Sequence, residues 1–442
     1  MSTQTADVVV VGAGPAGCAA AITLARAGLE VVAIDKARFP RDKCCGDGLT
    51  TGALRHLEHL GLSPAAVASW TPFTDVRIRS PSARVGDFSF PHHAGTYGAV
   101  ARRTDLDAAL VGLARRAGAT VLEGHGLVGG GLVGGGLVGG GALLGGRALL
   151  GGRVETRAGG RRGADSGTIS VEADGLGTLK ARYVIGADGM WSPLRKQLGV
   201  ADEPGYRGDW HAFRQYFTDV SGPAASQLWV CFEPDLLPGY LWSFPLAGGR
   251  ANVGYGIHRR HSTRHGAELA RLWSDLLARD HVRAILGPAA RPEAPHKAWP
   301  IPARIGRSAL SAAGGRALFA GDAARACDPM TGEGIGQALE TGVLAAQAVL
   351  RSGAGHPERA AAEYRRAVTT GLAIDNALAS ASARALAHRK GAGSAIRVAS
   401  ATPWTAGHFV RWMFEDYPRA LPLTPWRWGR HASNQAGAWP EA

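Results

Sequence analysis

Two glycine-rich turns, one cysteine loop and one aromatic strand hold the residues of this chain whose types and spacing could do chemistry. The first turn is Gly12-Ala13-Gly14-Pro15-Ala16-Gly17, between a valine run and an alanine-rich run. Such a turn presents backbone N–H groups to a pyrophosphate: Gly12 permits the tight bend, Gly14 lets the backbone approach, and Gly17 lets a helix pack closely on a strand. The helix N-terminus behind it adds unpaired N–H groups and a partial positive charge. Asp35, followed by Lys36, ends the next apolar run, where a carboxylate can accept both hydroxyls of an adenosine ribose. An acid there disfavours a 2′-phosphate, so the ligand expected is FAD or NAD rather than NADP.

The second turn lies about 300 residues on. Gly321-Asp322-Ala323-Ala324 follows a short apolar run, and Asp328-Pro329-Met330-Thr331-Gly332-Glu333-Gly334 leads into a long helical pattern from Ile335. Asp322 can accept a sugar hydroxyl, and the N–H groups near Gly334 can face an electron-rich ring edge. Two such junctions would clasp the two ends of one extended cofactor, and FAD is long enough to need both. Between them, Cys45 and Gly46 sit in a loop leaving the first site; the thiol either meets cofactor or substrate, or is a small packed residue. Tyr240, Trp242 and Phe244 alternate along one strand and so share a face, as core or as the wall of an apolar pocket.

The elements that must position these groups follow from periodicity. A strand over Asp7–Val11, a helix over Cys18–Ala27, a strand over Glu30–Ile34 and a helix over Thr51–Leu60 form the first unit. Alternating residues from Val76 to Tyr97 read as strands, and His92-His93 within them as loop histidines rather than metal ligands. A helix to about Ala117 starts near Arg103, whose guanidinium either reaches a pyrophosphate or is simply solvated. Strands are expected at Thr168–Ala173, Leu179–Ile185 and Ala317–Ala320, and a helix over Ile335–Leu350. Residues 212–257 are rich in Trp and Tyr with β character, which suits a second, sheet-based substrate domain.

The domain boundaries expected are a cofactor-binding domain in three parts (1–75, 99–200, 301–350), a substrate domain from 76–98 and an antiparallel sheet at 201–300, and a helical region at 351–442. A Gly-Leu-Val-Gly-Gly repeat passes into Ala-Leu-Leu-Gly-Gly-Arg over 126–153; its glycine content makes ordering costly, and it reads as a surface insertion.

Composition bounds the partners. With 442 residues, 45% hydrophobic and 19% charged, the chain has the makings of two or three globular domains. Its net charge of +13 suits nucleic acid or an anionic membrane. Five cysteines form neither a disulfide framework nor a zinc spacing, which fits a reducing cytoplasm. Neither a signal peptide nor a membrane span is expected. From Arg384 to His431, eight Lys or Arg meet two acids, with Trp404, Trp412, Trp426 and Trp428 interleaved. That mixture suits a bilayer interface, and the competing reading is a helix packed on the cofactor domain.

Three motifs together resemble the flavoproteins of the p-hydroxybenzoate hydroxylase fold class: Gly12-x-Gly14-x-x-Gly17, Asp188-Gly189-x-x-Ser192-x-x-Arg195, and Gly321-Asp322-Ala323 with Pro329 and Gly332-x-Gly334. The resemblance implies a Rossmann-like α/β FAD domain with a β-sheet substrate domain. It places Asp322 on the ribityl chain, Arg103 and Asp188-Gly189 along the cofactor, and Gly332 to Gly334, leading into Ile335, beside the isoalloxazine. Within that class the chain is similar to the geranylgeranyl reductase family, which includes menaquinone isoprenyl-chain reductases. Lys43-x-Cys45-Gly46-Asp47-Gly48-Leu49 resembles its first loop, and Tyr240-x-Trp242-x-Phe244-Pro245 with Gly254-x-Gly256 resembles its lipid-pocket signature. The insertion and the extra Cys44 are departures.

The family implies FAD-dependent saturation of double bonds in a polyprenyl chain. For that chemistry Cys45 is expected to lie close enough to the ring to assist proton delivery or to gate the pocket. The electron donor is left among NADPH, NADH and ferredoxin. The partners expected are the polyprenyl lipid and, peripherally, the inner face of the cell membrane, with no nucleic acid, for a monomeric cytoplasmic chain. A monooxygenase, epoxidase or halogenase on the same fold is the alternative; a halogenase would carry Trp-x-Trp-x-Ile-Pro where this chain has Tyr240-Leu241-Trp242-Ser243-Phe244-Pro245.

Overall fold

The computed structural model describes residues 3–91, 94–128, 154–157, 167–200, 205–262, 266–428 and 436–440. His92, His93 and the glycine repeat beyond Val128 lie outside them. The valine run forms the centre of a sheet as the strand Thr3–Val11, flanked in parallel by Val31–Asp35 on one side and Gly177–Gly186 on the other. Thr120–Glu123 and Ala317–Phe319 extend the sheet outward, again in parallel. Strands covered on both faces read as continuous apolar runs, and Val8 to Val11 are all buried.

The helix after the first strand spans Pro15–Arg26, three residues earlier than expected, because Pro at the first helical position has no N–H to waste and its φ is already helical. It packs along the helix Ile335–Ser352. A Cβ on Gly342 would stand 2.2 Å from the Ala16 carbonyl oxygen, so only glycine allows this approach. The Thr341 hydroxyl accepts the Gly321 N–H at 2.9 Å, fixing the end of the Ala317–Phe319 strand to the same helix. These contacts bring the two glycine turns, distant in sequence, to one end of the sheet.

A second sheet runs in the order Trp210–Thr218, Arg250–His258, Tyr240–Leu246, Leu228–Cys231, Asp75–Arg79, Val85–Ser89. Lys297–Ile301 adds to its Trp210–Thr218 edge. It departs from the antiparallel expectation at one pair: Leu228–Cys231 lies parallel to Asp75–Arg79. Those strands come from distant segments with no hairpin to set their direction.

The C-terminal region is helical: Pro357–Thr370, Leu372–Leu386, Arg389–Ala399 and Pro403–Met413. The last helix opens with a capping box between Thr402 and Thr405. Phe409 meets Phe88 (ring centroids 5.2 Å) and Phe414 meets Phe90 (5.2 Å), so the helix covers the second sheet, while its Trp412 and Met413 meet Met330 of the cofactor domain.

Candidate active site

One continuous cavity of about 800 Å³ runs between the two sheets, and residues of both glycine turns line it. At one end stand Gly12, Gly14, Pro15, Ala16, Asp35 and Lys36. Gly12 is in the left-handed region (φ 99°), and a Cβ there would stand 2.3 Å from the Ala187 carbonyl oxygen. Gly14 caps the Pro15–Arg26 helix without any side-chain acceptor, leaving first-turn N–H groups open to the cavity. Gly17 is off the cavity wall: its Cβ would collide with the Gly12 carbonyl at 1.8 Å, which is the close helix–strand packing expected of it. The Asp35 carboxylate accepts Ala13 N–H and Ala37 N–H, each at 2.8 Å, and each oxygen keeps one lone pair for a ligand hydroxyl.

At the other end stand Gly321, Asp322, Gly332, Gly334 and Ile335. Gly334 precedes the Ile335–Ser352 helix with no side chain to cap it, and in the first turn the Glu333 carboxyl accepts the Gly336 N–H at 2.8 Å. Asp322 lies 3.7 Å from Lys43 Nζ, which also sits 4.0 Å from the Trp299 ring centroid. Burial holds that ammonium below its usual pKa. Pro329 is not on the wall; its carbonyl accepts Trp210 Nε1–H at 3.2 Å, bracing the turn from behind. Glu333 is on the wall, and burial together with the nearby Glu415 pushes its carboxyl up.

The middle of the cavity holds Asp188, Gly189, Arg103, Cys45 and Gly46. Asp188 accepts Ser192 Oγ–H (2.7 Å) and Leu194 N–H (2.9 Å), so its carboxylate shapes the local turn. Arg195 ties that turn to the Ala309 and Ala323 carbonyls at 2.7 and 3.1 Å. Arg103 is neither solvated nor free: it forms a two-bond pair with Asp107 (2.8 Å each) and hydrogen-bonds the Cys45 sulfur. Burial raises the Cys45 pKa despite Arg103, so the group is a neutral thiol rather than a thiolate.

Tyr240, Trp242 and Phe244 all face the cavity, with consecutive centroids 6.1 and 6.2 Å apart. The cysteine loop lies across them: Cβ atoms on Gly46 and Gly48 would meet Phe244 at 3.3 and 2.9 Å. The other two glycines of the signature divide. Gly256 lines the cavity, whereas Gly254 lies behind Trp242, where a Cβ would come within 2.3 Å of the indole. Pro245 is one residue out of phase with the aromatics and falls on the opposite face, off the wall.

Several wall residues escaped the sequence reading. Leu228, Val230 and Phe232 extend the apolar side, and their alternation was a usable signal. Leu386, Met413 and Phe414 close it from the C-terminal helices, and Trp299 and Arg214 come from the far strands. Asn252 joins the wall to the loop, donating to the Cys45 carbonyl (2.9 Å) and to Asp47 (2.8 Å) while accepting Trp242 Nε1–H (3.0 Å). No group of three or more His, Cys, Asp or Glu able to hold a metal occurs among the described residues.

A family model described as "FAD binding domain" matches residues 5–130 and 157–360, a span that contains both glycine turns. The chain belongs to this family of FAD-binding proteins. Its flavoprotein relatives include a menaquinone reductase of Mycolicibacterium smegmatis, 34% identical over 367 residues that cover 79% of this chain and 77% of the relative. A digeranylgeranylglycerophospholipid reductase of Methanoculleus marisnigri is 30% identical over 77% of this chain and 75% of its own. These relatives put the flavoprotein in the geranylgeranyl reductase group. The crystal structure of a geranylgeranyl bacteriochlorophyll reductase-like protein from Thermoplasma acidophilum shares the fold, with TM-score 0.73, 21% identity, and coverage of 96% of this chain and 99% of that one.

Proposed function

We propose that this FAD-binding oxidoreductase saturates carbon–carbon double bonds of a polyprenyl chain, with a menaquinone side chain as the first substrate to test. The observation that carries the reading is the single cavity joining a nucleotide cradle to an aromatic, apolar chamber. Relatives over three quarters of the chain are named as reductases of menaquinone and of geranylgeranyl lipids. The monooxygenase, epoxidase or halogenase alternative rests on fold alone.

In this reading the N–H groups behind Gly12 and Gly14, at the start of the helix at Pro15 and Ala16, hold the pyrophosphate. Asp35, with Lys36 beside it, holds the adenosine ribose, and Arg103 and Gly189 lie along the cofactor. Asp322 holds the ribityl chain, and the Gly332–Ile335 helix entry meets the ring. The bound FAD supplies the hydride. Tyr240, Trp242, Phe244, Leu228, Val230 and Phe232 lay the prenyl chain down and exclude water. Cys45, a neutral thiol on the wall, assists proton delivery or gates the chamber. The donor that reduces the flavin is chosen by assay among NADPH, NADH and ferredoxin.

Mass spectrometry of isoprenoid lipids from cells with and without the gene tests the reading. Gain of two hydrogens per reduced unit only where the gene is present is the expected result, and identical lipid profiles would sink it. Cys45→Ala with unchanged turnover at full FAD occupancy would reduce that residue to packing.

We also infer a peripheral contact with an anionic membrane. Trp404 (71% exposed) and Trp428 (64%) stand out from the C-terminal region with Leu423, among its arginines, whereas Trp412 packs inward near Met330 and Ala379. No described helix is long and apolar enough to cross a bilayer.

A further inference from the structure

Asp47 is fully buried, yet it is on the cavity wall next to Cys45. It is a non-glycine residue in the left-handed region (φ 64°), held there by its neighbours. Its N–H donates to Cys45 Sγ at 3.3 Å, and its carbonyl accepts Ala101 N–H at 3.0 Å. One carboxylate oxygen, Oδ2, accepts both Tyr216 O–H (2.5 Å) and Asn252 Nδ2–H (2.8 Å). The other, Oδ1, is buried and has no hydrogen-bond partner among the described residues.

That asymmetry decides where a proton would sit. The two donors occupy the lone pairs of Oδ2, so protonation falls on Oδ1, which accepts no hydrogen bond among the described residues and belongs to a residue of the cavity lining. The charged and titratable groups facing the carboxyl are Arg214, Arg103, Tyr216 and Cys45. Both arginines, the tyrosine and Asn252 favour the anion; burial opposes them and wins, placing the acid at about 6. An acid that keeps part of its protons near neutrality suits general acid catalysis. Tyr216 is itself clamped, with the Arg102 and Arg214 guanidiniums 4.2 and 4.1 Å from its ring centroid, so the carboxyl is held in one orientation.

We propose that Asp47 is the acid that delivers the proton in double-bond saturation. The proposal rests on the reductase reading. Saturation adds a hydride to one alkene carbon and a proton to the other. The hydride, with its two electrons, comes from reduced FAD. The Oδ1–H bond of Asp47 breaks as the second C–H bond forms, its electron pair stays on the carboxylate, and a proton from solvent restores the acid after product leaves. Asn252 and Tyr216 are positioning residues for this step.

The test uses the FAD-loaded full chain, pre-reduced chemically and mixed with a menaquinol, its headgroup already reduced, carrying an unsaturated side chain, with flavin re-oxidation followed against pH without oxygen. Asp47→Asn keeps the left-handed backbone, which Asn tolerates, and an acceptor for Tyr216. It is expected to bind FAD with the wild-type spectrum and to slow re-oxidation by about 100-fold or more. It should also abolish the loss of rate as pH rises through about 6. An infrared pH titration of the apoprotein should show a carboxylic-acid band disappearing over the same range, absent in Asp47→Asn. Tyr216→Phe removes one donor to the anion and should move both the rate limb and the band upward by about one pH unit. An Asp47→Asn rate within threefold of wild type, or a limb unmoved in Tyr216→Phe, overturns the proposal. If Asp47→Asn does not fold, the Tyr216→Phe shift decides. A wild-type protein that holds FAD but is re-oxidised by no prenyl lipid overturns the reductase reading and this proposal with it, and does so before any substitution is made.

Discussion

Gly254 and Gly256 are equivalent in a Gly-x-Gly motif and different in the fold, and replacing each by alanine separates the two views. On Gly254 the new Cβ would lie 2.2 Å from the Phe213 carbonyl oxygen and 2.3 Å from Trp242 Cζ2. The first contact is backbone of the paired strand, and the second is an indole pinned by its 3.0 Å bond to Asn252. Neither gives way cheaply: the strands must part or Trp242 must swing into the cavity. Overpacking of this kind costs about 1–3 kcal/mol. Losing the indole hydrogen bond adds about 1 kcal/mol, so Gly254→Ala should cost roughly 2–4 kcal/mol. On Gly256 the nearest atom is Trp210 Cε3 at 3.9 Å, an ordinary contact. Gly256→Ala should therefore stay within about 0.5 kcal/mol of wild type. Urea denaturation followed by tryptophan fluorescence measures both. The activity assay should show a raised KM for prenyl substrate in Gly254→Ala, with FAD affinity kept. Equal midpoints for the two variants, or a Gly254→Ala loss under about 0.5 kcal/mol, would refute the packing argument.

Gly12→Ala places a side chain at φ 99° with its Cβ 2.3 Å from the Ala187 oxygen, so the purified protein should lose FAD and melt at lower temperature; a yellow protein with unchanged Tm would contradict the cradle. Burial depresses His56 from 6.5 to about 4. The unfolded chain therefore takes up that proton first, and the stability is full above about 6.5 and lost as pH falls toward 4; His56→Gln should flatten the loss, and identical pH–stability curves would exclude the assignment. Trp404→Ala with Trp428→Ala should abolish flotation on anionic liposomes while leaving FAD content unchanged; wild-type protein that does not float would dismiss the membrane contact.

The features legible in the sequence are the local ones. A glycine turn needs its φ and its close approach within a few residues, so Gly12, Gly14, Gly17 and the helix entries can be read from spacing. Alternation placed Tyr240, Trp242 and Phe244 on one face because strand geometry fixes that at any position. The same rule, carried one residue further, would have removed Pro245 from the wall.

What the tertiary structure alone decided is everything that depends on long chain separations. Tyr216 meets Asp47 across 169 residues and Asn252 across 205, and no local pattern ranks one buried polar residue above another. The C-terminal helices covering the second sheet, and Leu386, Met413 and Phe414 closing the chamber, follow from which apolar faces remain unpaired once both sheets exist. Sequence thus determined the chemistry each segment could present; packing determined which segments present it to the same space.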